Sequence, residues 1–289
     1  MRTGTLFVVA TPIGNRDDLA PRARRILGEA DLVAAEDTRH TGRLLSHFGI
    51  ETPLIAVHEH NEAELARELV GRLTAGANIA LVSDAGTPLV SDPGYRLVVA
   101  AHEASVPVSP VPGPSAVVAA LSVAGLPTDR FCFEGFLPAK AEARRRALVA
   151  LADEPRSMVF LESVHRIGKL LPDLVRAFGP ARRGFVGREL TKLHEQCVCG
   201  TLQDLADEVA AGNILARGEF VVVVAGADGE PRQDGIGPRR VLESLLPVLA
   251  GRQAVDIATE LTGARRNDVY RLMLDMTSRE TADGTPDDD

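Results

Sequence analysis

Short apolar runs alternating with amphipathic stretches are what most constrain the fold of this chain. LFVVA (6–10), LVAAE (32–36), PLIAV (53–57), NIALVS (78–83) and VPVSPVP (106–112) have the length and character of buried strands. Between them, LAPRARRILGEA (19–30), residues 39–48, NEAELARELVGRLTAG (61–76) and PSAVVAALSVAG (114–125) carry helical spacing. Pro21 sits near a helix start, Asn61 is a candidate cap and Gly76 a stop. Asp92-Pro93 reads as a cap followed by proline at the first helical position. This alternation predicts an α/β fold with a mostly parallel sheet covered on both faces.

GLPTDRFCFEGFLPAK (125–140) breaks the composition and reads as a domain crossing. Beyond it, SMVFLE (157–162), RGFVGREL (183–190) and GEFVVVVAG (218–226) read as strands, with helices at about 165–177 and near 201–211. These strands are variably polar, so a mixed sheet is expected. DGEPRQDGIGP (228–238) reads as a linker, followed by short helices over 239–250, 253–262 and 267–276. ATELTGARRNDVYRLML (258–274) is like a helix-turn-helix with Gly263 at the turn, or equally a plain helical pair. The expected division is 1–125, 126–228 and 229–276, with a disordered acidic tail over 277–289.

No stretch approaches the ~18 uninterrupted apolar residues of a membrane span. MRTGTLFVVATPIGN lacks a signal-peptide cleavage pattern, so a cytoplasmic protein is expected. Cys132, Cys197 and Cys199 do not make a disulfide framework. Cys197 and Cys199 have no second ligand pair nearby, so they read as thiols on one face of a strand and no metal is expected. With 32 basic and 40 acidic residues the net charge is −8, which excludes a protein that coats nucleic acid through bulk charge. Basic residues still cluster at Arg24-Arg25, Arg144-Arg145-Arg146, Arg182-Arg183, Arg239-Arg240 and Arg265-Arg266. Each alone is a solvated face, but together they leave a local RNA-binding surface open.

Three glycine- and proline-bearing loops follow predicted strands: ATPIGN (10–15), DAGTPLVSDPG (84–94) and PGPSA (112–116). Loops at the carboxyl ends of strands line the ligand crevice of an open α/β sheet. Phosphate cradles offer a Lys or an unbroken set of backbone N–H donors, and prolines donate nothing. A tight pocket short of positive charge suits an adenosine-bearing ligand without phosphates. S-adenosylmethionine fits, because carbonyls and carboxylates tolerate its sulfonium.

The motifs VATPIGN, AAEDTRHTGRLLSHFGI, HEHNE, LVSDAGTPLVSDPGY, PVPGPSAVVAALSVAGLPTDRFCFEGFLPAK, FLESVHRI and RELTK resemble the ribosomal RNA small subunit methyltransferase I family, a branch of the tetrapyrrole methylase superfamily. The likeness runs from about residue 4 to residue 276. It implies two α/β domains with the donor in the cleft between them, a small C-terminal helical segment and a homodimer. It also implies 2′-O-methylation of a cytidine ribose in the decoding region of 16S ribosomal RNA. Carried over position by position, it implies donor contacts from Pro12, Ile13 and Gly14, from Asp84, Ala85, Gly86, Thr87 and Val90, and from Ser115 and Ala116. Leu161, where relatives carry an aromatic residue, and an apolar residue near Ala225 would complete the pocket. The first loop, Thr-Pro-Ile-Gly, departs from the superfamily's glycine-rich form, which favours the ribosomal branch.

Methyl transfer to a sugar oxygen is an in-line displacement that depends on geometry, with a base useful late in the reaction. Candidate catalytic groups are Glu36, Asp37, His40, Glu162 and His165. For Glu36 and Asp37 a strand-end cap or an ion pair with Arg39 is the alternative. Expected RNA contacts are Arg39, Lys140, Arg144, Arg145, Arg146, Arg166, Arg188 and Lys192. With 4% aromatic residues and no Trp, base stacking would fall on Phe131, Phe133 or Phe136, for which a place in an interdomain core is the stronger reading. The acidic balance points to assembled 30S subunits rather than free RNA as substrate. Two other readings stay open: a porphyrin-type small-molecule methylase, and a non-catalytic ribosome-assembly factor.

Overall fold

The computed structural model describes residues 3–58, 61–227 and 238–282. The first half runs β1 (Leu6–Val9), α1 (Pro21–Glu29), β2 (Leu32–Ala35), α2 (Thr38–His47), β3 (Leu54–Ala56), α3 (Glu62–Thr74), β4 (Ile79–Val82), α4 (Tyr95–Glu103), β5 (Val108–Val111) and α5 (Ala116–Val123). Its five strands form a wholly parallel sheet in the order β3-β2-β4-β1-β5. β2 and β4 are buried at every position, which is why both read as unbroken apolar runs. Leu6, Ala34, Ile79 and Leu81 pack under Leu69 and Leu73 of α3 and Leu97 of α4. Val9, Val33, Ala80 and Val82 face the other way, against Ile26 and Leu27 of α1 and Leu45 of α2.

The second half runs β6 (Phe131–Phe136), α6 (Ala141–Ala150), β7 (Ser157–Ser163), α7 (Ile167–Phe178), β8 (Arg183–Arg188), β9 (Gln196–Thr201), α8 (Leu202–Ala210) and β10 (Glu219–Val224). These strands form a mixed sheet, β6-β7-β10-β8-β9, in which β6 and β7 are parallel and the other pairs antiparallel. Leu148 of α6, Leu170 and Leu174 of α7, and Leu202 and Leu205 of α8 cover one face. The other face meets α5 of the first half through Val117, Ala120, Leu121, Val159, Phe185, Val221 and Val223. That shared core holds both sheets in one compact unit, residues 1–227. Cys197 and Cys199 alternate along β9 and are exposed, with Cys199 Sγ 3.2 Å from the Ala124 carbonyl oxygen.

The second compact unit holds α9 (Pro238–Leu245), α10 (Gly251–Thr262) and α11 (Arg266–Ala282). Leu242, Ala254, Val255, Ala258, Val269 and Met273 form its core. Gly263 ends α10 at φ 65°, a left-handed cap that glycine takes without steric cost. Among the described residues, no helix is long and apolar enough to cross a membrane.

The structure departs from the sequence reading in four places. The expected crossing at 125–140 contains β6, masked in the sequence by a bulge between Phe133 and Gly135, where Gly135 takes φ 61°. A further helix, α6, follows over Ala141–Ala150. α11 continues to Ala282, past the expected end at 276, and the remainder of the acidic tail, 283–289, lies outside the described residues, as does most of the 228–238 linker. Asp92-Pro93 does not cap α4, which starts at Tyr95 behind Gly94 at φ 119°. The buried Glu62 of α3 does that work: its Oε1 accepts from Gly94 N at 3.1 Å and Arg96 N at 2.6 Å.

Candidate active-site cleft

The three strand-end loops converge. Thr11 and Gly86 exchange backbone hydrogen bonds, 2.9 and 3.0 Å, tying the loop after β1 to the loop after β4. Thr87 Oγ1 donates to the Pro114 carbonyl at 3.0 Å, tying that loop to the one after β5. The end of β2 joins them: Asp37 N donates to Asp84 Oδ1 at 3.0 Å, and Asp84 N to Glu36 Oε2 at 3.2 Å. Gly86 sits at φ 85°, and a Cβ there would lie 3.3 Å from Ile13 Cγ2. Leu89 and Ser91 also take positive φ, 75° and 72°, a local strain that sets the loop's course.

The second sheet closes the site. Leu161, Glu162 and Ser163 at the end of β7 and Glu219, Phe220 and Val221 at the start of β10 line a cavity of ≈ 380 Å³ with Asp84, Gly86, Thr87, Val90, Ser115 and Ala116. Ala85, Glu36, Ser91, Asp92, Val117 and Phe136 complete the wall. Five of these residues are carboxylates and none is Lys or Arg. Burial pushes the Asp92 carboxyl up to about 6; a hydrogen bond with Ser83 opposes this, and the Glu36 and Asp84 charges add to it. Glu162 is 2% exposed. Its Oε1 accepts from Ser163 N at 2.8 Å and lies 3.2 Å from Arg166 Nε, while its Oε2 is buried without a hydrogen-bond partner among the described residues.

Eight expected donor contacts line this cavity: Asp84, Ala85, Gly86, Thr87, Val90, Ser115, Ala116 and Leu161. Pro12, Ile13 and Gly14 instead line an adjoining groove of ≈ 330 Å³ with His40, Arg43, Lys192 and the shared Asp84, Ala85 and Glu219. Gly14 is pressed by the RELTK loop: a Cβ there would collide with Lys192 Cγ and lie 2.8 Å from Thr191 Oγ1. Ala225 is a correction. It follows the far end of β10, where it pairs with Arg183, and the apolar β10 residue that reaches the cavity is Val221, opposite Leu161. Asp92, Glu219 and Val221 are not among the expected contacts, while Phe136, expected in an interdomain core or under a base, lines the cavity between the sheets. Asp92 was hidden by its resemblance to a helix cap, and the β10 pair by the antiparallel turn of the second sheet.

The catalytic candidates separate. Glu36 and Glu162 line the cavity. Asp37 accepts from Arg39 N and pairs with the Arg39 guanidinium at 2.6 Å, which holds its carboxyl well below the usual range. It is a helix cap rather than a base. His165 is exposed in the turn before α7 and lines neither hollow, whereas His40 lines the adjoining groove.

Three expected RNA contacts are structural. Arg144 is 3% exposed and binds Asp173 at 2.7 and 2.9 Å. Arg188 is 4% exposed and donates to the Arg217 and His194 carbonyls and to Gln196. Arg166 donates to the Leu137 carbonyl at 2.6 Å and braces Glu162. Arg39, Lys140 and Arg146 are exposed, Arg145 is half-exposed beside Asp173, and Lys192 bridges Glu189 and Glu219. Phe133 packs in the shared core, while Phe131 and Phe136 are exposed.

Paired sheets of this topology, with strand-end loops around one cleft, are the fold of the tetrapyrrole methylase class. The profile described as Tetrapyrrole (Corrin/Porphyrin) Methylases matches residues 5–206, and that described as RsmI C-terminal HTH domain matches residues 238–277. The chain belongs to the ribosomal RNA small subunit methyltransferase I family. It is 52% identical to the protein of that name from Pseudomonas aeruginosa, covering 95% of this chain and 98% of the relative. It is 46% identical to that of Escherichia coli O157:H7, covering 94% and 95%. Among solved structures, the uroporphyrin-III C-methyltransferase of Thermus thermophilus complexed with S-adenosyl homocysteine matches with a TM-score of 0.52 and 23% identity, over 77% of this chain and 97% of that one. A diphthine synthase matches with a TM-score of 0.56 and 16% identity, over 77% and 90%. At these identities the likeness to the solved structures is one of fold.

Proposed function

We propose that the ≈ 380 Å³ cavity binds S-adenosylmethionine and that the chain transfers its methyl group to the 2′-oxygen of a cytidine ribose in the decoding region of 16S ribosomal RNA, within the assembled 30S subunit. The observation that carries the donor assignment is the charge of the wall: five carboxylates and no Lys or Arg. A phosphate ligand would be repelled there, whereas a sulfonium and an ammonium are attracted. The volume suits a nucleoside-sized ligand. The buried Oε2 of Glu162 offers a lone pair for a donor group of the ligand, since an unmet buried acceptor is costly. The RNA assignment is supported by the relatives' name and by their coverage of nearly the whole chain.

The bound donor supplies an electrophilic methyl group. The chain's own residues supply position. Gly86 and Ala85 let the backbone approach closely, and Leu161, Val221 and Val117 form the apolar wall that excludes water. The acceptor oxygen, methyl carbon and sulfur must be held in line, and much of the acceleration can come from that alignment. Glu36 and Glu162 are the carboxylates at the cavity that can take the hydroxyl proton late in the transfer. We also infer a homodimer, for which the exposed Val118 and Val123 of α5 offer apolar surface.

The test is methyl transfer from tritiated donor to purified 30S subunits that lack this modification, and to the same 16S RNA stripped of protein. Nucleosides are then identified by mass spectrometry. 2′-O-methylcytidine formed in the subunit and not in naked RNA is the expected result. Label on a base, on both substrates equally, or on neither would overturn the corresponding part of the reading.

A further inference from the structure

Basic side chains on α1, α2 and the loop before α1 form a path that the activity above leaves without a purpose. The groove beside the cavity carries Arg16, His40 and Arg43. A larger hollow, ≈ 520 Å³, shares Arg16 and continues past Arg24, Arg25 and Phe48. His40, Arg43 and His47 recur at helix positions i, i+3 and i+7, which places them along one face of α2. The side chains link up from there: Arg16 Nη1 is 3.2 Å from His47 Nδ1, and His47 meets the Phe48 ring edge-on at 4.9 Å. The Arg24 guanidinium lies over that ring, 5.3 Å from its centroid. Arg43 is exposed and has no hydrogen bond or ion pair among the described residues. The acidic residues on this path are mostly engaged: Glu29 is taken up by Arg25 at 2.9 Å and Glu219 by Lys192 at 2.9 Å, and Asp84 accepts from Asp37 N at the cavity end, which leaves Asp17.

We propose that this path holds the single-stranded RNA segment flanking the target nucleotide. Arg16 and Arg43 contact its phosphates, and the Phe48–Arg24 pair stacks a flanking base. The inference rests on the reading of the chain as an RNA methylase. The shared wall of Asp84, Ala85 and Glu219 connects path and cavity, so a ribose presented at the donor leaves its strand lying over α2. Exposed guanidinium groups hold phosphates, and an aromatic ring with an arginine plane is a sequence-tolerant base platform. A peptide or lipid surface would not require the aromatic–arginine stack.

The experiment compares wild type, Arg43→Glu, Arg16→Ala and Phe48→Leu on unmodified 30S subunits over a range of salt concentrations. Arg72→Ala, an exposed i,i+4 pair with Glu68 remote from the path, serves as control. Arg43→Glu and Phe48→Leu are each expected to raise KM for subunits about tenfold with kcat within about twofold. Arg16→Ala is expected to shallow the slope of log affinity against log salt by about 0.7. Donor affinity by calorimetry should match wild type throughout. Wild-type KM and salt slope in all three path variants would overturn the path while leaving the RNA reading intact. A wild-type enzyme inactive on subunits would overturn the reading itself. Weakened donor binding in Arg43→Glu, or an equal KM change in Arg72→Ala, would also overturn the path.

Discussion

The cavity at the strand ends and the groove beside it share Asp84, Ala85 and Glu219, yet their remaining walls carry opposite charge. Beyond the shared residues the cavity adds three carboxylates, Glu36, Asp92 and Glu162, and no Lys or Arg, while the groove adds Arg16, Arg43 and Lys192. A methyl donor is cationic and RNA is anionic, so on the proposed reading one cleft sorts two ligands of opposite sign within a few side chains. A net charge of −8 averages over this segregation and hides it. Total charge therefore excludes bulk attraction to nucleic acid without excluding a basic lane beside an acidic pocket.

The comparison breaks first if the arginines that matter are buried rather than exposed. Arg144 is the strongest case, since the sequence makes it as good an RNA ligand as its neighbours. Its guanidinium and the Asp173 carboxylate are each 4% exposed and 2.7 Å apart. Burial alone would push the Asp173 carboxyl up, but hydrogen bonds from Arg145 and Arg144 outweigh it and hold it below the usual range. Arg144→Ala strips the two buried hydrogen bonds from Asp173 Oδ2 while Arg145 and Arg176 still hold Oδ1 at 2.8 and 3.5 Å, and a loss of about 1.5–3 kcal/mol of stability is expected in thermal or denaturant melts. At a temperature where the variant is folded, its KM for 30S subunits should equal that of wild type. A raised KM with an unchanged melt would return Arg144 to the RNA surface.

A second break tests the cavity alone. Gly86 takes φ 85° with Ile13 Cγ2 only 3.3 Å from where a Cβ would stand. Valine, with a branched Cβ, is strongly disfavoured at such a φ. Gly86→Val is expected to weaken S-adenosylmethionine binding by about 100-fold or more, ~2.7 kcal/mol, in calorimetry, with the fold retained. Wild-type affinity would refute the pocket.

Much of this was legible in the sequence because the parallel sheet writes itself as apolar runs with Gly/Pro loops at their ends. Loops that end strands of one parallel sheet must lie on one edge, so Asp84, Gly86, Thr87 and Ser115 could be placed together before any coordinates. The second sheet was harder. Its antiparallel strands put Val221, at the start of β10, opposite Leu161, at the end of β7, so the sequence reading took the wrong end of β10 and chose Ala225. The arginines failed for a different reason: nothing local in an Arg triplet says which member finds Asp173, twenty-nine residues beyond Arg144. Within HEHNE the sequence offers Asn61 as a cap but gives no role to Glu62, which holds the start of α4 and frees Asp92 for the cavity.

Asp92 gives the finest test of the charge contrast. Its carboxyl is pushed up to about 6, chiefly by burial. In the ligand-free fold a raised carboxyl stabilises below its unfolded value of ~3.9, and that contribution is lost as pH rises through about 6. Donor binding has the opposite sign, because the ionised form attracts a cation. Affinity for S-adenosylmethionine is therefore expected to rise as pH increases through about 6 and to level off above it. Binding below that range should release a proton, visible as a dependence of the binding heat on the buffer's ionisation enthalpy. Asp92→Asn is expected to cost about tenfold in donor affinity at pH 7.5, ~1.4 kcal/mol, and to flatten the pH dependence. The effect on S-adenosylhomocysteine should be smaller, since the demethylated product has lost the sulfonium charge. If the two ligands lose affinity equally, Asp92 does not read that charge, and the acidic wall serves only to fold the loop.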